Sequence, residues 1–148
     1  MAAEDDVRKA SQKFYQALNQ MIAGKADSMN DIWSHSPTVT TLHPIGGREV
    51  GWDAVKNSFD QVAGLAGGGN VQIKDQQIRV VGDLAYEIGI EAGQATLAGQ
   101  KVNLEHRVTN IYQKEGGQWK LVHHHGDVAP AMVEIVERLQ EEGMRAKG

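Results

Sequence analysis

RVTNIYQKEGGQWKLVHHHGDVAP, residues 107–130, is the stretch that decides the fold. β-Branched and aromatic residues lie on both sides of Gly116-Gly117, the pattern of a hairpin with a glycine turn. The spacing predicts a long strand from Lys101 to Lys114 and a last strand from Trp119 to Val128, after which Pro130 opens a helix. Upstream, Val71 to Val81 is followed by Gly82-Asp83. Leu84, Tyr86, Ile88, Ile90 and Ala92 then alternate with Ala85, Glu87, Gly89, Glu91 and Gly93 as in a second hairpin, and Ala98-Gly99-Gln100 turns into the Lys101 strand. Four long antiparallel strands in a meander result.

The first half of the chain reads differently. Val7, Ala10, Phe14, Leu18 and Met21 recur at helical spacing from Asp5 to about Ala23, where Gly24 ends the run. A short helix carrying Met29, Ile32 and Trp33 is capped by Asp27 or Ser28 and stops at Pro37. Val39 to His43 is a short strand, Pro44-Ile45-Gly46-Gly47 a turn, and Trp52 to Ala63 a third helix that ends in the cluster Gly64, Gly67, Gly68 and Gly69. Helices followed by a meander mean α+β, with the helices on one face. Gly82, Gly89, Gly93 and Gly99 fall where long strands must coil or turn, so the sheet is expected to curve around the helices and enclose a cavity. The expectation is one domain over residues 1–148, with its core at about 5–130, a C-terminal helix at about 130–142, and fraying from Glu141 to Gly148.

Composition excludes several classes of function. Fifteen Lys and Arg against nineteen Asp and Glu give a net charge of −4, which provides no field to hold a nucleic-acid backbone. The absence of cysteine removes disulfides, thiolate nucleophiles and iron–sulfur clusters. The acidic start MAAEDDVRK has no apolar signal region, and no apolar run is long enough to span a membrane, so a cytoplasmic protein without nucleic-acid or membrane partners is expected.

The run His123-His124-His125 invites a metal. Strand alternation sends His123 and His125 to one face and His124 to the other, a third ligand would have to come from His43 or Asp127, and no helical histidine pair is present. The reading is therefore no metal. Glu87 and Glu91, with Glu105 and Arg107 on the next strand, read as cross-strand ion pairs at a subunit interface. His43 ends a short strand before Pro44 at the rim of any cavity and suits a base. Tyr15 lies at the edge of its helix's apolar stripe, where its hydroxyl can reach a pocket. Trp33, Trp52 and Tyr86 would supply apolar wall. If odd-numbered residues of the last two strands face inward, Arg107, Thr109, His123, His125 and Asp127 line the cavity; if even-numbered ones do, His106, Asn110, Tyr112 and His124 do. The odd set carries more reactive groups and is preferred, with Arg107 placed to bind a carboxylate or enolate.

Two stretches, QKFYQALNQMIAGKADSMNDIWSHSPTVTTLHPIGG (residues 12–47) and the opening quotation, together resemble the nuclear transport factor 2-like superfamily, whose fold is also called cystatin-like. Within it they resemble the ketosteroid isomerase-like and SnoaL-like polyketide cyclase group. The second stretch is also similar to the association domain of calcium/calmodulin-dependent kinase. The resemblance implies a cone-shaped curved antiparallel sheet wrapped around N-terminal helices, and a homodimer. It places His43 where the isomerase has its Asp base, Tyr15 at the hydrogen-bonding tyrosine, and Asn110 or Thr109 where the isomerase has a protonated acid, so steroid isomerase activity is not implied. Dehydratases and cyclases of the fold use histidine with acid or tyrosine groups, a role open to His43, Tyr15 and one of His123 or His125. The expected function is binding of a small hydrophobic or carboxylate-bearing molecule. Isomerase, cyclase or dehydratase chemistry would follow by proton transfer without a cofactor, with His43 as base, Tyr15 and Arg107 polarising the substrate, and His125 beside them. The alternative is a non-catalytic carrier or oligomerisation module.

Overall fold

The computed structural model describes residues 2–147, with side chains described from residue 3 to residue 143. The elements run α1 Ala2–Ile22, α2 Met29–Ile32, β1 Thr40–Leu42, β2 Arg48–Val50, α3 Trp52–Leu65, β3 Ala66–Val81, β4 Leu84–Leu97, β5 Gln100–Glu115, β6 Gln118–Gly126 and α4 Pro130–Lys147. They build the expected α+β fold: one curved, unclosed six-stranded sheet in the order β2-β1-β6-β5-β4-β3, with the helices on its concave face. No described helix is long and apolar enough to cross a membrane.

Three boundaries differ from the sequence reading. The glycines 67–69 belong to β3 and do not end a helix, because the strand bulges past Thr96 there and only glycine tolerates the resulting backbone. The turn after His43 leads into a short strand, β2, that pairs with β1. Finally, α4 continues to Lys147 where fraying is expected; Gly148 lies outside the described residues.

Burial explains the assembly. The stripe of α1 buries Val7, Phe14, Leu18 and Met21, and α3 adds Val55 and Phe59; with Trp33, Tyr112 and Leu121 they fill the cone. Each large apolar side chain there contributes roughly 1.5–3 kcal/mol. Asn19 fixes α1 on the sheet by clamping Val71: its Nδ2 donates to the Val71 carbonyl at 3.1 Å and its Oδ1 accepts from the Val71 amide at 2.7 Å.

Sheet curvature depends on close backbone approach at β3 and β4. A Cβ on Gly93, whose φ is +147°, would lie 1.9 Å from the Asn70 carbonyl oxygen, whereas one on Gly99, φ +79°, would meet nothing within 4 Å. Gly93→Ala is therefore expected to lose about 3 kcal/mol of stability in urea unfolding, and Gly99→Ala only about 1 kcal/mol for its left-handed backbone. Equal losses would show that the close approach does not set the curvature.

Candidate functional site

On the concave face, β4 presents Ala85, Glu87, Glu91, Ala95 and Leu97, and β5 presents Val102, Leu104, His106, Val108, Asn110 and Tyr112. In β6 the inward phase changes once. Tyr112 pairs with Leu121 but Ile111 pairs with His123, so Val122 is an extra residue, a bulge that brings both Leu121 and His124 inward. A second bulge at Asp75 and Gln76 of β3 turns Gln76 toward Glu87.

Two carboxylates thus lie deep in the cone, at 0% exposure for Glu87 and 2% for Glu91. Burial of unpaired charge is costly, so every oxygen needs donors. Glu87 accepts from Tyr112 Oη at 3.0 Å, Asn110 Nδ2 at 2.9 Å and Gln76 Nε2. Glu91 accepts from Tyr15 Oη at 2.8 Å and from His106 Nε2 at 2.7 Å. Asn110 joins the two halves, because its Nδ2 also donates to the Tyr15 oxygen at 3.1 Å and its Oδ1 accepts from His124 Nδ1 at 2.6 Å. On the other side of the cavity, Ser58 Oγ donates to the Val55 carbonyl at 2.6 Å, so it can only accept from His43 Nε2, 2.8 Å away.

Protonation follows from these partners. Burial, and then repulsion from His124, lowers the pKa of His43 to about 3, so its ring is neutral with the hydrogen on Nε2 and a lone pair on Nδ1. Burial also lowers that of His124, whose hydrogen is on Nδ1. Burial works to raise the Glu91 carboxyl, but the imidazole of His124 and the bonds from His106 and Tyr15 outweigh it and hold the group below the usual carboxylate range. The Tyr15 hydroxyl is pushed well up by burial and by Glu91, and the Tyr112 hydroxyl by burial and by Glu87, so both remain protonated.

These groups meet at a cavity of about 60 Å³, room for roughly four to six waters. His43, Glu91, His106 and His124 form its polar end, and side chains including Leu18, Phe59, Leu97 and Met132 form the apolar remainder. Beyond His43, Ile45 and Val62, which line both spaces, lies an open groove of about 380 Å³ bounded by Val133 and Val136 of α4. Thus α4 borders the groove next to the cavity. Among the described residues no three ligating side chains are placed to hold a metal ion.

Placement of the expected residues is mixed. His43 and the hydroxyl of Tyr15 come to this interior, and so does Asn110. The preference for odd-numbered residues facing inward is corrected. Arg107, Thr109, His125 and Asp127 lie on the convex face around an open hollow of about 490 Å³, where Arg107 pairs with Asp127 at 2.6 Å, and His123 bonds Thr40 at 2.6 Å at the same surface. The Arg107 pKa is raised and that of Asp127 lowered by their mutual hydrogen bond. Trp33 is in the core against Phe59, Trp52 stacks on His35 with ring centroids 4.5 Å apart, and Tyr86 is 43% exposed on the convex face, so none of the three lines the cavity. The expectation that Glu87 and Glu91 pair with Glu105 and Arg107 at an interface also fails, since they point the other way; Glu105 bonds Lys74 instead.

Sequence reasoning missed Glu87 and Glu91 as interior groups and did not favour His106 and His124. The signal for His106 is present: in β5 the even positions 102, 104, 108 and 112 are Val, Leu, Val and Tyr, while odd positions are mostly polar, so the even face must be buried.

Comparison with known proteins agrees with this fold. No curated protein sequence matches the chain. A candidate dehydratase of the nuclear transport factor 2-like family from Streptomyces avermitilis superposes with a TM-score of 0.75 at 21% identity, over 86% of this chain and 96% of that one. An association domain assigned to calcium/calmodulin-dependent protein kinase type II, from Thiobacillus denitrificans, gives 0.66 at 25% identity over 81% and 92%. The hub of that kinase from S. rosetta gives 0.68 at 21% over 85% and 96%. The family model described as a SnoaL-like domain matches residues 7–131, which include both hairpins and the polar groups of the cavity, and the chain belongs to that family, with the fold of nuclear transport factor 2-like proteins.

Proposed function

We propose that the cone binds a small organic molecule of about five non-hydrogen atoms and that its imidazoles accept and return a proton during a cofactor-independent reaction. The observation that carries this reading is the convergence of His43, His106, His124 and Glu91 at one end of an otherwise apolar cavity. His43 offers Nδ1 only as a hydrogen-bond acceptor, because Ser58 holds its other nitrogen and burial keeps the ring neutral, and the proton goes to the unpartnered Nδ1 of His106. Glu91 accepts the Nε2 hydrogen of His106 and so fixes the orientation of the ring. Tyr15, by contrast, gives its only proton to Glu91, and Arg107 is outside the wall, so neither is free to stabilise an oxyanion. Base-assisted elimination or ring closure therefore suits the site better than an enolate-based isomerisation.

Isobutanol, which has the right size, should move the side-chain NMR signals of His43, His106 and His124 together, with those of His123 and His125 unchanged, and His43→Ala should abolish the effect. Movement confined to His123 and His125 would assign binding to the convex hollow and sink the proposal.

A second role is supported by the convex face, where Leu84, Tyr86 and Ile88 of β4 are 49%, 43% and 40% exposed in one row. We infer that this row joins a second copy of the chain in a homodimer. Sedimentation should give a dimer for the wild type and a monomer for Tyr86→Asp/Ile88→Lys; a monomeric wild type would refute it.

A further inference from the structure

The cavity's polar end has a property that none of its residues has alone: the side chains lining it have no free hydrogen to donate. His43 gives its Nε2 hydrogen to Ser58, His124 its Nδ1 hydrogen to Asn110 and His106 its Nε2 hydrogen to Glu91. What remains on these side chains is acceptor only: Nδ1 of His43, Nε2 of His124, Nδ1 of His106 and the lone pairs of Glu91. The His106 atom is buried, has no partner at all, and belongs to a side chain 6% exposed. A buried acceptor without a donor costs about 1–3 kcal/mol, so this site is incomplete as it stands.

Charge points the same way. Glu91 lines the cavity and Glu87 lies behind it across Asn110, while no Lys or Arg is buried among the described residues. The Arg8 guanidinium bonds Gln76 Oε1 at 2.7 Å, on the far side of Glu87, and Glu4 at 3.3 Å. A carboxylate or enolate ligand would meet lone pairs and negative charge, whereas an ammonium group brings three donors and a positive charge.

We propose that the cavity is a site for a small aliphatic molecule bearing a protonated amino group, the ammonium seated among Glu91, His43, His106 and His124 and the hydrocarbon against Leu18, Phe59 and Met132. This rests on the reading of the cone as a small-molecule site and names its ligand class. It replaces the carboxylate-bearing ligand expected while Arg107 was read as inward-facing.

The test uses three molecules of one shape, isobutylammonium, isobutanol and isobutyrate, titrated into the wild-type protein at about pH 8.5, where an ordinary imidazole is neutral and a carboxylate charged. Binding is read from the side-chain signals of His43, His106 and His124. The ammonium should bind about tenfold more tightly than the alcohol, the carboxylate should not bind, and Glu91→Gln should remove most of the ammonium's advantage while leaving the alcohol's affinity in place. Interior binding of the alcohol as tight as that of the ammonium would overturn the inference and leave the pocket reading intact. If none of the three moves the interior signals, both fall. The wild-type series decides the matter whether or not Glu91→Gln folds.

Discussion

Asn110→Leu should cost about 4 kcal/mol in urea unfolding, far beyond the loss of one ordinary hydrogen bond. Asn110 is fully buried and serves three partners at once: Glu87 and Tyr15 through Nδ2 and His124 through Oδ1. Leucine fills a similar volume, so the loss comes from chemistry and not from a cavity. It leaves the Glu87 carboxylate short of a donor and the His124 Nδ1 hydrogen without an acceptor, both inside the cone. Asn110→Asp makes the same point with a distinct signature. A third carboxylate facing Glu87 is repelled at neutral pH and relieved when protonated, so this variant should recover stability as pH falls, while the wild type loses it. A cost below about 1 kcal/mol for Asn110→Leu would mean that the interior network does not hold the two halves of the cone together.

Acid should destabilise the protein well before ordinary carboxylates titrate. His43 is neutral in the fold, with a pKa of about 3, whereas in the unfolded chain it has an ordinary value near 6.5. Between those limits the unfolded state binds a proton that the native state refuses, so stability is fully present above about pH 6.5 and declines as pH falls toward 3. The loss from this one group reaches about 3 kcal/mol by pH 4.5. His124, also lowered by burial, adds in the same direction, and so does Glu91, whose depressed value makes its contribution disappear at still lower pH. In urea titrations repeated from pH 7 to 4.5, the wild type should therefore lose about 3 kcal/mol more than His43→Gln, which has nothing to protonate there. Parallel curves for the two proteins would show that His43 is already charged or already exposed.

The legibility of this protein divides by strand. The hairpin around Gly116-Gly117, the helix opening at Pro130 and the helices of the first half were all readable, because each depends on local spacing and on turn or cap residues. In β5 the buried face was readable too, from Val102, Leu104, Val108 and Tyr112; weight given to the reactive groups Arg107 and His125 pointed to the wrong side. In β6 no pattern could help, since the bulge at Val122 shifts the phase between Leu121 and His124 without a glycine or other local mark. β4 was misleading: its apolar row, Leu84, Tyr86 and Ile88, faces outward, and its acidic residues face in. Alternation separates the two faces of a strand but does not say which is inside when both have reasons to be covered. Glu87 and Glu91 are tolerable in the core only because Tyr15, Gln76, His106, Asn110 and Tyr112 arrive from three other elements, and such a long-range arrangement leaves no local trace in the sequence.

The measurement that tests the interior most directly is a long-range nitrogen–proton NMR correlation of the histidine side chains near pH 8.5, which reports which ring nitrogen carries hydrogen. The hydrogen-bond pattern predicts hydrogen on Nε2 of His43 and His106 and on Nδ1 of His124, with His43 remaining neutral when the pH is lowered to about 5 and His124 titrating below the ordinary imidazole range. Hydrogen on Nδ1 of His43, or His124 titrating at an ordinary imidazole value, would contradict an acceptor-lined cavity and with it the functional reading built on it.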